Sequence, residues 1–593
     1  MRTENIKAAR GIIPLDILIR NIQLVNVLTS EVYPAEIGIS NGMIVSVEQP
    51  SSGESLKALQ VYDGNGKYAV PGLIDTHVHI ESSMMTPAGF SKAVLPLGTT
   101  TIVTDPHEIG NVMGLRGIRY MLEATKNLPL RVYFQVPSSV PSVTGVETAG
   151  AVFGSTEVSE MLGWDRVIGL AEVMDYMGVI NLSERMQQIL GAALSANKVI
   201  SGHCPGLRGR DLAAYLTAGA NSDHEGMDPA ELMEKLRLGM YVEGRVSSFN
   251  ESMTSLGTIF KQPGSLPPNL VLCTDDIYPD DLLRSGHMDQ VLRTGIKAGI
   301  PAVDLIRAAT WNGAQRHRLY QAGAIIPGNW ADIVLVNDLN NFRADEVFCR
   351  GKLQAAAGKM LILDDTRDVS INIPPERQVE AENTIHLKHL PKVEDFNIPA
   401  RPGKSIEQLQ VMNINPNLRR NLLVRSYPVV DGRLDITNDR DVCMVSILER
   451  HLSTGNHSRF LVSGLGCISG AAATTVSHDC HNLLVIGRDA ADMALAVRTL
   501  AECGGGICSV FDGKVQALLP LPVAGLMGTG NVNETAELLH KLNFALKQQG
   551  VLQERPLTGL LSLALPVIPE YGLTDLGLVN VNTQALMPIY TDD

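Results

Sequence analysis

The sequence predicts an α/β protein built on a (β/α)8 TIM barrel, with a small β-sandwich formed from segments flanking the barrel and a C-terminal α/β domain. Three observations carry this expectation: short apolar stretches alternating with helical patterns over residues 68–320, β-rich stretches on both sides of them, and renewed alternation after residue 402. A chain of 593 residues is also too long for one hydrophobic core.

Candidate barrel strands are residues 68–75, 100–104, 131–135, 166–171, 198–202, 218–222, 239–242 and 269–274. Most gaps carry the three-to-four spacing of an amphipathic helix, as at 183–195 and 229–238. About eight strand–helix units in roughly 250 residues are the pattern of a closed parallel barrel. Upstream, residues 15–47 break into short β-rich pieces with a turn at Asn41-Gly42, and a second such stretch covers 323–336. Strands this short make no core alone. Segments 1–67 and 321–363 are therefore expected to meet as one split β-sandwich around the barrel at 68–320. The charged, proline-containing stretch 364–402 reads as a linker. Residues 403–593 read as an α+β or α/β domain, with helix signals at 489–501 and 533–549.

Apolar residues at 45% and charged residues at 19% are ordinary for a globular protein. A net charge of −14 argues against nucleic acid as a partner, because phosphate binding needs a basic surface. No apolar run reaches the roughly 18 residues that suggest a membrane span. The start, Met1-Arg2-Thr3-Glu4-Asn5, lacks the apolar core of a signal peptide, so a cytoplasmic location is expected. The 8 cysteines form no Cys-x-x-Cys pair and are expected as reduced thiols.

The chemistry begins at Asp75-Thr76-His77-Val78-His79-Ile80-Glu81-Ser82-Ser83, which follows the apolar stretch 70–74. Residues i and i+2 of a strand share a face, so His77 and His79 can hold one ion together. A lone His-x-His is a weak signal. Four further residues strengthen it, each at or just past the C-terminal end of another predicted strand: Glu172, His203, His224 and Asp275. In a barrel those ends share one mouth. Any one of them alone reads as an ordinary satisfied polar group; together they read as a metal site. Four imidazoles and two carboxylates exceed what one tetrahedral ion requires, so two ions are expected. His77, His79 and Asp275 would hold one, His203 and His224 the other, with Glu172 bridging both. Asp275 is the candidate proton acceptor and Glu172 the second catalytic carboxylate. Without a thiolate, these donors suit manganese or iron as well as zinc.

The strand Pro71-Gly72-Leu73-Ile74-Asp75-Thr76-His77-Val78-His79, the split sandwich, and Pro327-Gly328 with Ala331-Asp332-Ile333-Val334 resemble the amidohydrolase superfamily. Longer strings are similar specifically to its bacterial adenine deaminase family. They include His79-Ile80-Glu81-Ser82-Ser83-Met84-Met85-Thr86-Pro87, Asp105-Pro106-His107-Glu108-Ile109, Gly202-His203-Cys204-Pro205-Gly206 and Val476-Ser477-His478-Asp479-Cys480-His481-Asn482. The resemblance implies two divalent ions, manganese or iron(II), with zinc also compatible. It implies hydrolysis of adenine to hypoxanthine and ammonia, by attack of a metal-bridging hydroxide on purine C6, within purine salvage or adenine catabolism. A homo-oligomer, dimer or tetramer, is expected with it. The family's bridging glutamate is carried onto Glu172, where many cyclic-amide hydrolases of the superfamily use a carboxylated lysine. Glu81, Ser82, Ser83, Asp105, His107, Glu108 and Asp276 are candidate purine contacts, and each also fits a loop hydrogen bond or a supporting role. The pattern departs at Gly226-Met227-Asp228 and at 242–248. A cyclic amide or other amidine hydrolase, or a metal-free scaffold, are the alternatives. The His-x-Glu with Pro-Cys-x-x-Cys zinc site of other nucleobase deaminases is absent.

Two readings stay open for His478 and His481: a loop reaching the barrel mouth, or a polar network internal to the C-terminal domain. His287, His317 and the Met84-Met85 pair are expected in packing, His386 and His389 in solvent, and Gly504-Gly505-Gly506 in a turn.

Overall fold

Eight parallel strands follow one another in space as they do in sequence: Leu73–Val78, Thr99–Thr104, Arg131–Val136, Val167–Val173, Val199–Gly202, Ser222–Asp223, Tyr241–Arg245 and Leu270–Cys273. The structure is a computed structural model that describes residues 2–50, 56–361, 373–415, 419–466, 468–561, 563–567 and 570–591. The fifth and sixth strands meet where Asn221 N donates to Ile200 O at 3.2 Å and Gly202 N donates to Ser222 Oγ at 3.2 Å. The eighth returns to the first through a parallel bridge between Val78 and Asp275, and Asp275 N donates to His77 O at 2.9 Å. The sheet thus closes on itself. Its helices start where the sequence supplies caps. At Pro229–Arg237, the Asp228 carboxylate accepts from Ala230 N and Glu231 N, both at 3.1 Å, and proline occupies the first turn.

The first expected strand is really two. Tyr68–Pro71 pairs with Leu15–Asn26 and with Ile333–Val336, outside the barrel, and only Leu73–Val78 is a barrel strand. The break is Gly72, where an added Cβ would stand 2.1 Å from Thr100 Oγ1. The barrel therefore begins after Gly72 and not at Tyr68. Gly72→Ala is expected to destabilise the protein by about 1–3 kcal/mol through overpacking, read as a lower apparent melting temperature; an unchanged value would mean the neighbouring strand yields freely.

Both flanks share one nine-stranded sheet. Ile19, Ile37 and Ile39 from the first flank and Ile333, Leu335 and Phe348 from the second form one apolar cluster, which neither flank supplies alone. A helix not expected from the sequence, Arg2–Ala9, seats Ala8 against Leu15, Leu18 and Val45.

The C-terminal region has its own nine-stranded sheet, with helices Ala490–Glu502 and Val532–Gln548. It differs from a strand-and-crossover domain because one pairing is parallel (Met412 with Val462) and its other pairings are antiparallel. Tight turns explain this. Asp431-Gly432 and Asp512-Gly513 have positive φ at both positions, the backbone that two-residue hairpins need. Alternation along one strand separates two cores. Leu483 and Val485 join Met493, Val497 and Leu500 of the first helix, while Leu484 and Ile486 belong to the cluster that runs into the barrel. The expected linker is packed in its described part: it carries helix Pro375–Glu382 and a short turn Val393–Phe396, with Ala381 and Phe396 fully buried. Its residues 364–372 lie outside the described residues.

This second region lies over the mouth of the barrel, tied to loops that follow several strands. Gly528 N donates to Met84 O at 2.9 Å, Thr148 N to Asp575 Oδ1 at 2.9 Å, and Arg555 Nη1 to Ser248 O at 2.8 Å. Among the described residues no helix is long and apolar enough to cross a membrane.

Candidate metal centre at the barrel mouth

Asp75 builds the floor of the site. Fully buried, it accepts from His77 N at 3.3 Å and from Thr274 N at 3.2 Å, and its other oxygen accepts from Thr274 Oγ1 at 2.5 Å. Burial pushes its carboxyl up to about 7. It ties the first strand to the eighth, so the strand ends bearing His77 and Asp275 are held together. His287 and Thr99 complete this buried network, which is the packing role expected for that histidine.

Above the floor the two first-strand imidazoles meet edge to face, with ring centroids 4.7 Å apart. His79 Nδ1 faces Asp105 O at 2.9 Å, so that nitrogen carries the proton and Nε2 keeps its lone pair for the site. Glu172 stands in the centre. Its Oε1 lies 3.5 Å from His77 Nε2 and 3.3 Å from His79 Nε2; its Oε2 lies 2.7 Å from His203 Nδ1 and 3.3 Å from His224 Nε2. Asp275 Oδ1 is 3.5 Å from His77 Nε2 and 3.2 Å from His79 Nε2. Burial opposes ionisation of Glu172, but the facing imidazoles of His203, His224 and His77 outweigh it and hold the carboxyl well below its ordinary range. Asp275 behaves alike: burial raises it, while Arg245, His77 and His79 bring it well below. The six residues named from their strand-end positions come together.

These residues fit divalent cations. Ligand atoms of His77, His79 and Asp275 lie within 4.8 Å of one another, and so do those of His77, Glu172 and His224, and of His203, His224 and Glu225. His77 Nε2 is buried without a hydrogen-bond partner. A nitrogen with its lone pair aimed at two carboxylates is what a cation would satisfy.

The candidate purine contacts divide. His107 Nδ1 lies 3.1 Å from Asp105 Oδ2 and 3.7 Å from Glu172 Oε1, which places Asp105 and His107 against the centre. Ser82 Oγ donates to Asp276 Oδ1, next in the chain to Asp275. Glu81 is buried with Oε2 unpartnered. Ser83 is not brought in, because its hydroxyl donates to Ile80 O at 2.6 Å within its own turn. Glu108 turns to the other region, accepting from His478 Nδ1 at 2.8 Å and from His481 Nε2. Of the two readings left open, the loop carrying these histidines reaches the barrel.

Arg245 escaped the sequence reading. It ends the seventh strand, fully buried, and its guanidinium contacts both Asp275 Oδ2 and Glu225 Oε1. It lies in the stretch 242–248 that departs from the expected pattern, which was the one available signal.

Residues 68–354 match the Amidohydrolase family and residues 418–585 match the Adenine deaminase C-terminal domain. Adenine deaminase 2 of Carboxydothermus hydrogenoformans is 40% identical over 587 residues, covering 98% of each chain. The chain belongs to the adenine deaminase family. Another adenine deaminase, from Moorella thermoacetica, is 39% identical over 97% of this chain and 96% of its own. A solved β-aspartyl dipeptidase from Fervidobacterium islandicum aligns with 59% of this chain and 98% of its own, at 16% identity and a TM-score of 0.44. The adenine deaminase match takes in both the barrel that bears Glu172 and the region that bears His478.

Proposed function

We propose that this protein hydrolyses adenine to hypoxanthine and ammonia, as purine salvage or adenine catabolism requires. The observation that carries the reading is Glu172, whose two oxygens face two different pairs of imidazoles in a chain similar along its whole length to adenine deaminases. A glutamate at this point, with every imidazole in place, favours this reading over a cyclic-amide hydrolase or a metal-free scaffold.

His77, His79 and Asp275 would hold one divalent ion, His203 and His224 a second, and Glu172 both. Nitrogen and oxygen donors without thiolate suit manganese or iron(II), and admit zinc. When bound, such a pair lowers the pKa of water toward neutrality and stabilises charge that develops during hydrolysis. The chain's own groups do the rest. As the water oxygen bonds to C6, one of its two protons goes to N1; Asp275 Oδ1 then takes the second as C6–O becomes a carbonyl and the C6–N6 bond breaks. The proton held by Asp275 passes to the departing amino group, so that ammonia leaves and not amide anion. Arg245 occupies Asp275 Oδ2 and keeps Oδ1 directed at the centre. Asp105, His107, Glu81, Ser82 and Asp276 line the approach for the purine.

Cys204, Cys273, Cys349, Cys480, Cys503 and Cys508 are free thiols, which suits a reducing cytoplasm. The expected dimer or tetramer would appear in light scattering as a multiple of the 64.0 kDa chain. Two results test the activity. Purified protein is expected to contain about two transition-metal ions per chain, and chelation should abolish a turnover that manganese restores. Ammonia release, measured over free bases and nucleosides with manganese added, is expected with adenine; release from a cyclic amide and none from adenine would overturn the reading.

A further inference from the structure

Glu108 is a buried barrel carboxylate held by two imidazoles of the C-terminal region, and the cluster sits beside the metal centre. Glu108 Oε1 lies 3.7 Å from His107 Nε2, and His107 Nδ1 lies 3.7 Å from Glu172 Oε1. Glu108, His478 and His481 have the donor atoms of a cation site. Hydrogen bonding excludes that use of His481. Its Nδ1 accepts from Ser477 N at 3.1 Å, so its proton is on Nε2, and Nε2–H donates to Glu108. Both nitrogens are spent, and ligation through Nε2 would require an imidazolate. Burial also keeps His481 neutral, holding it down at about 4.

The loop is fixed from behind. Arg450, fully buried, donates to His481 O, to Thr384 O at 3.0 Å and to Ala524 O at 3.0 Å. So large a buried cation, spent on carbonyls around one loop, holds His478 in a set place. His478 differs from His481. Its Nδ1 is committed to Glu108, but its Nε2 is buried with no partner. The residue is only 6% exposed, so water does not readily satisfy it.

That orphan is not isolated. Glu81 Oε2 and Asp479 Oδ2 are also buried without partners, and both groups feel the charge of Glu108 in the same region between barrel and C-terminal sheet. Buried polar groups are normally paired, and a concentration of exceptions marks where a ligand supplies the missing partner. Phe249, whose ring centroid is 6.4 Å from that of His478, adds an aromatic edge suited to a flat heterocycle.

We infer that His478 is a substrate-contacting residue: the C-terminal region places its Nε2, through Glu108 and the loop pinned by Arg450, against a ring nitrogen of the purine. The inference rests on the activity proposed above. It assigns the C-terminal region a part in recognition, because a barrel alone lacks this contact.

Two substitutions separate the nitrogens. Asparagine at 478 keeps a donor near the Nδ1 position and loses Nε2, whereas glutamine keeps a polar group near Nε2. Manganese-loaded full-length enzyme is compared with H478N and H478Q for kcat, KM for adenine and inhibition by hypoxanthine, with metal content and melting temperature as controls. H478N is expected to raise KM and the hypoxanthine inhibition constant at least about tenfold with metal content unchanged, and H478Q to stay within about threefold of wild type. H478N values within about twofold of wild type, or a loss confined to kcat, would overturn the inference. If H478N does not fold, H478F removes the same nitrogen and is judged by the same two constants. A wild-type enzyme that releases no ammonia from adenine overturns the activity itself, and is seen before any variant is made.

Discussion

Asp275→Asn lowers kcat for adenine by at least about a hundredfold, the scale of a lost general base, while most of the bound metal remains. The substitution is close to isosteric, and the backbone explains why it is also fair. Asp275 has φ of 59°, in the left-handed region, where asparagine is tolerated nearly as well as aspartate. A defect in the variant therefore reports the carboxylate and not a displaced strand end. Asparagine can still present one oxygen to a cation, but it cannot take a proton from water and carry it to the leaving group. Arg245 would face a neutral amide, and Glu225 would still partner it. Near-normal kcat in D275N, with metal retained, removes Asp275 from proton transfer.

Glu172→Ala has the larger effect. Its carboxylate touches four imidazoles from three strands, so its removal takes away an anion shared by the two halves of the centre. Metal content is expected to fall from about two ions to about one or fewer per chain, with turnover down at least about a thousandfold. Both are read on the same preparation, by metal analysis and by ammonia release. Full metal content in the alanine variant would show that the two ligand sets hold their ions without a common carboxylate. Folding is checked separately, because four imidazoles left without their acid lower stability as well as affinity.

Much of this site was legible because a barrel turns sequence periodicity into geometry. Once eight strand ends share a mouth, a histidine or acid that follows an apolar stretch is placed without knowing any contact. His77, His79, Glu172, His203, His224 and Asp275 were found in that way. What stayed hidden depends on pairing, not on period. Gly72 divides one apolar run into strands of two different sheets; Pro71-Gly72 marks a break, but nothing in the run says which sheet each side joins. The C-terminal strands alternate as strands of any sheet do, so their antiparallel order was not visible in them. Arg245 ends a strand that also carries Glu243, and its meaning depends on Glu225 and Asp275 standing opposite. Glu108 and His478 are 370 positions apart. Each string was noticed alone, yet only the folded chain makes them neighbours.

Lys67 and Glu346, joined across the flanking sheet, are 279 positions apart. At a ribosome's pace of about 5–20 residues per second, the early strands wait some tens of seconds for Ile333–Val336 to emerge. Throughout that interval Tyr68–Pro71 has an open edge, and the nascent chain carries an apolar ribbon able to pair with a stranger. A transcript that stops short of that late segment would thus yield a product prone to aggregation, even with every metal-binding side chain already translated.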